Sequence, residues 1–260
     1  MEAVLAWKVA VIPLWLGLFF GLERLFPASP WRAADPASGF SQTAHLRQNI
    51  SLWLVNALAS PLLVLAITGA AASLAPSWRP AAIGGPLGLA LDLLVLDLWI
   101  YAWHRANHRI PLLWRFHQVH HLDQQLDSTS ALRFHVGEVL LSALARAPVI
   151  LILDIPLASV VVFEVLVTMA AIFHHANVRL PPTLEATLSR VIITPQLHWV
   201  HHRARRRDTD SNYGTLLSGW DLLFASRSAT RRTPDMVIGV AGQVENRIPR
   251  LLLLPFAKTP

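Results

Sequence analysis

The stretch Asp97-Leu98-Trp99-Ile100-Tyr101-Ala102-Trp103-His104-Arg105-Ala106-Asn107-His108, followed by Leu113-Trp114-Arg115-Phe116-His117-Gln118-Val119-His120-His121, decides how this chain is read. A Leu-rich run that begins at Ile83 ends here, and histidines at helical spacing follow it directly. Residues at i, i+3 and i+4 share one face of a helix. His104 and His108, and then His117, His120 and His121, can therefore each aim imidazoles at a common point. An apolar helix that ends in a cluster of nitrogen donors places a donor site at the end of a membrane span.

Working outward, apolar runs near the 17–25 residues needed to cross a bilayer recur along the chain. Ala3 to Leu22 is one, flanked by Lys8 and by Glu23 and Arg24; no small-residue cleavage site stands out before Pro27, which disfavours a signal peptide. Asn49 to Leu74 is another, with Pro61 inside it, and Ile83 to Trp103 is a third. The third carries Asp92 and Asp97, which at membrane depth should face the bundle interior. Val139 to Phe173 is broken by Arg146, Pro148, Asp154 and Pro156 into two shorter pieces, best read as a tight helical hairpin, with a re-entrant pair as the alternative. Ile248 to Phe256 is too short to span.

The expected fold class is all-α: a multi-pass helical membrane protein of about three spans plus a helical hairpin, with a histidine-rich cap. Residues 1–260 form one membrane-embedded domain, 97–224 its catalytic region and 225–260 a C-terminal surface tail. Composition agrees. The 260 residues are 53% hydrophobic and only 15% charged, and the mean hydropathy is +0.43, beyond the range of water-soluble chains. The net charge of +6 comes almost wholly from arginine, which on a membrane protein favours anionic headgroups over nucleic acid. Arginines concentrate around the histidine segments (Arg105, Arg109, Arg115, Arg133, then Arg203 and Arg205 to Arg207), whereas the linker near Ser77 holds only Arg79. The positive-inside rule then puts the cap in the cytoplasm and the N-terminus outside.

With no cysteine, disulfides, thiolate clusters and cysteine nucleophiles are excluded. Any metal chemistry must use His, Asp and Glu. The pattern HxxHH occurs twice, at His117–His121 and His198–His202, where random placement predicts on the order of 0.03 for even one. His104, His108, His117, His120, His121, His198, His201 and His202 are the expected ligands, too many for one ion and suited to two. His175 is a ninth. Its neighbour His174 points about 100° away on a helix and is not expected to reach the same centre. His135 and Glu138, one turn apart, are candidate ligands or supporting groups, and Glu138 is a candidate catalytic residue. His45 is expected to be a solvated loop residue. HExxH and Glu-x-x-His signatures are absent. A metal pair at the end of apolar helices faces substrates arriving from lipid, whose stable bonds are C–H bonds, and two Fe ions have the redox range to use O2 against them.

These residues resemble the fatty acid hydroxylase and sterol desaturase superfamily of membrane di-iron oxygenases. The likeness covers Asp97 to Phe224. It includes the two segments quoted above, Thr129 to Glu138, His175 to Pro181, Thr194 to His202, Asp210-Ser211-Asn212-Tyr213-Gly214 and Trp220-Asp221-Leu222-Leu223-Phe224. The resemblance implies a cap over a histidine-bound metal pair that uses O2 and two external electrons to hydroxylate or desaturate a lipid. Asn212 is a second candidate catalytic position, within a turn that would place Gly214 at positive φ; Trp220 reads equally as an interfacial anchor. One departure is Trp199, where a smaller or basic residue is usual, so the ring is expected to narrow the pocket.

The expected partners are a bilayer lipid and a separate ferredoxin-, rubredoxin- or cytochrome-like electron donor, because no GxGxxG or haem-attachment motif is present. A bacterial inner membrane is the expected location. Two rivals remain from the residues alone: a membrane di-zinc metallohydrolase, since imidazole also suits zinc, and a metal transporter or sensor, disfavoured because the histidines lie at span ends rather than mid-membrane.

Overall fold

A computed structural model of the chain describes residues 2–35, 40–244 and 247–257, with the side chains of residues 2–9 and 81 left aside. The helices are α1 (Glu2–Leu25), α2 (Gln42–Ser73), α3 (Gly85–Arg109), α4 (Pro111–His121), α5 (Val136–Leu153), α6 (Leu157–His175), α7 (Pro182–Leu188), α8 (Pro195–His201), α9 (Arg206–Thr209), α10 (Gly219–Leu223) and α11 (Ile248–Leu253). Among the described residues there is no extended sheet, only isolated bridges. Four helices, α2, α3, α5 and α6, are long and apolar enough to cross a membrane. The expected first span is α1, a continuous helix through Pro13. Leu58 and Leu62 on α2 are each 76% exposed, as side chains facing lipid would be.

The loops explain where these helices stop. Asp154 takes a left-handed conformation (φ 51°) at the end of α5, tolerable for Asp, and Pro156 opens α6, so α5 and α6 reverse direction over a very short link. They form a helical hairpin whose arms meet through side chains, Arg146 with Glu164 and Ile150 in one core with Val160 and Phe163, while α5 also packs closely against α2 and α6 against α1.

Both intramembrane carboxylates face inward, as expected. Asp92 accepts from Arg79 Nη2 at 2.7 Å and from Ser159 Oγ at 2.7 Å. Asp97, 1% exposed, accepts from the backbone amides of Leu216 (3.2 Å) and Leu217 (3.1 Å) and from Trp220 Nε1 (2.8 Å). That carboxylate fastens the cap to α3, and it makes Trp220 a tie to the span rather than an anchor in lipid.

The cap is tied down elsewhere by buried polar networks. Glu23, fully buried, accepts from Ser128 N and Oγ and from Asn177 N, joining the end of α1 to the chain after α4 and α6. The expectation for His45 is corrected: it lies on α2, 3% exposed, with Nε2 2.8 Å from Asp123 Oδ1. Arg133, 1% exposed, donates to the Val119 carbonyl, to Gln48 and to Asn49. Burial alone would raise the Asp123 carboxyl, but His45 and Arg133 beside it, with the Ser130 hydroxyl, hold it well below the usual carboxylate range. The C-terminal residues are packed into this layer. Leu251 on α11 is fully buried with Leu52, Val119 and Leu122.

Replacing Asp97 by Ala removes the acceptor of three donors. Hydrogen bonds to a charged group are worth about 1.5–3 kcal/mol each, so a loss of several kcal/mol is expected, read as a lower unfolding midpoint and faster amide exchange over residues 214–224. The Asn variant, which keeps a carbonyl oxygen, should lose less.

Candidate metal centre

The two HxxHH sequences lie on α4 and at the end of α8, and they meet face to face. A ligand atom from each of His104, His108, His117, His121 and His201 lies within 4.8 Å of all the others, and the same holds for His120, His175, His198 and His202. All nine expected histidines are thus gathered into two groups, of five and four. The partition is reciprocal. The i, i+4 pair of the first sequence, His117 and His121, enters the first group and its i+3 member, His120, enters the second. His198 and His202 enter the second group and His201 the first. Each HxxHH helix turn therefore serves both groups, with His104 and His108 of α3 completing one and His175 of α6 the other.

The donor set fits metal. Nε2 atoms face one another at 3.2 Å (His117–His121), 3.1 Å (His120–His175), 3.0 Å (His175–His198) and 3.1 Å (His198–His202). Two nitrogens bound at right angles to an ion at roughly 2.1 Å are about 3.0 Å apart, so this spacing is that of neighbouring ligands on a shared ion. Both ring nitrogens of His108 and Nε2 of His201 are buried without a hydrogen-bond partner, a costly state for polar atoms that a metal would relieve at one nitrogen of each ring.

Behind the rings, other groups orient them. The Nδ1 atoms of His104, His120, His175 and His201 lie 2.9, 3.1, 2.7 and 2.7 Å from the carbonyls of Tyr213, Arg133, Ala171 and Ser211, and His117 Nδ1 lies 2.7 Å from Glu138 Oε1. Each bond fixes the tautomer with Nδ1 protonated and Nε2 free to ligate. Burial first, and adjacent imidazoles second, hold His120, His121, His198, His201 and His202 well below the ordinary histidine value, so they are neutral donors.

Other candidate residues fall outside the two groups. His135 caps α5, accepting from Gly137 N, and its Nε2 lies 3.0 Å from the Leu252 carbonyl. His174 stacks beside His198, ring centroids 3.9 Å apart, and lines the adjoining cavity. Glu138 supports His117, and its Oε2 is buried without a partner. Asn212 is occupied at both ends of its amide, donating to the Leu197 carbonyl at 2.9 Å and accepting from Ser228 N at 2.9 Å. Asn212 itself, and not Gly214, takes the positive φ of 51°. Gly214 is required for a different reason: a Cβ there would lie 2.7 Å from Ile193 Cδ1 and 2.8 Å from the Leu217 carbonyl oxygen. Trp199 does not narrow the pocket. Its ring packs with Leu126 and Ile238, donates to the His175 carbonyl and carries the Arg232 guanidinium 3.5 Å from its centroid. Sequence reasoning missed Asp97, Asp221 and Arg133 as supports. Asp221 accepts from Tyr213 N and Gly214 N, and so fixes the segment that presents the Tyr213 carbonyl to His104.

A cavity of about 230 Å³ adjoins both groups, lined by His104 and His117 of the first and His120, His175 and His198 of the second together with the apolar Ile100, Trp103 and Val167.

The fold and site together define a helical membrane protein with two polyhistidine clusters at the ends of its spans. Residues 89–226 match the fatty acid hydroxylase family. The chain belongs to that family and is an oxygen-dependent oxidoreductase of it. Among curated relatives it is similar to the ornithine lipid hydroxylase OlsE of Rhizobium tropici, 27% identical over 241 residues, covering 91% of this chain and 71% of that protein. It is also similar to the human alkylglycerol monooxygenase, 30% identical over 138 residues, covering 52% of this chain and 29% of that protein. The fatty acid hydroxylase vlmA of Lecanicillium sp. is 28% identical over 152 residues, covering 53% of this chain and 41% of that protein. No solved structure matches the chain significantly.

Two outcomes are expected at this site. Glu138→Ala leaves His117 Nδ1 without its acceptor and should weaken metal retention about 10–100-fold, measured by chelator competition, while Glu138→Gln, which keeps an acceptor oxygen, should retain metal. The lowered histidines also set a pH dependence. As pH falls below the ordinary value of 6.5, the unfolded chain takes up protons that the folded site refuses, so their stability contribution, complete above that pH, is lost on acidification. Unfolding midpoints of the metal-free protein should fall steadily below about pH 6.5.

Proposed function

We propose that the chain is a lipid hydroxylase that binds two iron ions, one in each histidine group. The observation that carries this reading is the placement of nine buried or half-buried imidazoles, five of them oriented through Nδ1, beside an apolar cavity between membrane spans, in a chain of this family. Bound iron supplies the redox chemistry by which O2 and two electrons convert a C–H bond to C–OH with release of water. The chain's own residues do the rest. His104, His108, His117, His121 and His201 hold one ion, and His120, His175, His198 and His202 the other. Ile100, Trp103, Val167 and Ala171 receive an alkyl chain and exclude water beside the second group. Glu138, with Oε1 engaged by His117, keeps Oε2 free as a hydrogen-bond acceptor at the cavity wall. Asn212 positions α8 through the Leu197 carbonyl and is a positioning residue rather than a catalytic one. Hydroxylation is favoured over desaturation because the relatives named above are hydroxylases and a monooxygenase.

In this reading the electrons come from a separate ferredoxin-, rubredoxin- or cytochrome-like protein and the membrane is a bacterial inner membrane; the arginine bias supports a cap on its cytoplasmic face. Iron-supplemented, detergent-purified protein with dithionite-reduced ferredoxin should consume O2 when given membrane lipid extract, and His120→Ala and His201→Ala should each abolish uptake. Bound zinc, with hydrolysis of lipid esters and no O2 uptake, would overturn the reading in favour of a metallohydrolase.

A further inference from the structure

The cavity at the histidines adjoins a second space bounded by α2, α3, α5 and α6. This chamber of about 350 Å³ shares Ile100, Trp103, Phe134 and Glu138 with the cavity, and reaches back along the spans to Arg146 and Glu164. A further cleft, lined only by α2 and α6, meets the chamber at Ser60, Val64 and Glu164. Lining residues thus run unbroken from the lipid-facing side of α2 and α6 to the imidazoles, and an ion pair stands partway along.

That pair is built. Arg146 is 6% exposed; its Nη2 donates to Glu164 Oε1 at 2.8 Å and to Thr68 Oγ1 at 3.4 Å, and its guanidinium lies 5.9 Å from the Trp99 ring. Its Nε is buried with no hydrogen-bond partner. Ionisable residues within a bilayer are costly and mark functional paths, and an unpaired buried donor calls for an acceptor. The charge of Arg146 is already balanced by Glu164. A carboxylate or phosphate arriving there would leave a net negative charge at membrane depth, whereas a neutral oxygen acceptor would satisfy Nε and leave the balance intact.

We infer that Arg146 and Glu164 form a specificity site that reads a neutral hydrogen-bonding group, a hydroxyl or amide, on the lipid substrate. By the 1.5 Å rise per helical residue, Arg146 lies about 12 Å along α5 from Glu138, and Glu164 about 16 Å along α6 from His175. The group read here and the carbon presented to the histidines are therefore separated by roughly 12–16 Å of alkyl chain or rings. This assignment rests on the proposed oxygenase reading for its meaning, but not for its test.

The test is equilibrium binding of tritiated 1-hexadecanol to iron-loaded protein in nanodiscs, with unlabelled hexadecanamide, palmitate and hexadecane as competitors. Hexadecanamide should compete like hexadecanol itself, while palmitate and hexadecane compete at least about tenfold more weakly, the loss of one buried charged hydrogen bond. In the R146M/E164Q double variant the four should converge. E164Q alone leaves Arg146 positive, and should move the preference toward palmitate. Palmitate or hexadecane matching the alcohol in the unaltered protein, or either variant keeping the original order, would overturn the inference. Iron content and O2 uptake recorded on the same samples separate the two readings. Absent uptake with an Arg146-dependent preference defeats the oxygenase and leaves the binding site standing.

Discussion

Everything in this molecule depends on gathering nine imidazoles in one buried place. A neutral histidine offers a single lone pair and a single N–H, and both need partners once water is excluded. The chain meets part of that demand itself. Carbonyls of Tyr213, Arg133, Ala171 and Ser211 and the carboxylate of Glu138 take up five Nδ1 positions, while Nδ1 of His108, His121, His198 and His202 is buried without a hydrogen-bond partner. Inward-facing Nε2 atoms crowd against one another at about the separation that ligands on a common cation adopt. Four of those five partners are backbone atoms, so the site is specified by how the cap is folded as much as by which residues are histidine.

That dependence explains the buried polar ties around the cap. Asp97 and Asp221 hold the segment that carries Tyr213 and Gly214. Arg133, clamped to Val119, Gln48 and Asn49, fixes the backbone whose carbonyl faces His120. Glu23 secures the chain just beyond His175 by accepting from Asn177. These charges sit in a membrane protein at a desolvation cost, and a structure that needed only to be stable would gain little from them. Their effect is to place backbone carbonyls within a few tenths of an ångström, the tolerance that oriented donors require.

Much of this was legible in the sequence for physical reasons. Spans announce themselves by length and hydropathy, and the two HxxHH patterns fix ring directions through helical periodicity alone. That periodicity also explains why His174, adjacent to His175, stays outside both groups. What the sequence concealed depends on tertiary position. His45 reads as an ordinary loop histidine because its partner Asp123 is remote along the chain. The α5–α6 segment reads as a hairpin because the link is short; that its arms also pack against α2 and α1 depends on tertiary position. Asn212, Gly214 and Trp199 form a conspicuous motif whose spacing carries no direction, and only the folded chain shows that Asn212 supplies the left-handed residue while Trp199 turns away from the cavity.

The central claim is that the two histidine groups hold two inequivalent iron ions. Mössbauer spectroscopy of protein grown on 57Fe, with total iron measured on the same sample, tests it most directly. Five imidazoles around one ion and four around the other predict about two irons per chain and two quadrupole doublets of equal area. A single iron per chain, or zinc in place of iron under iron-supplemented growth, would contradict the account.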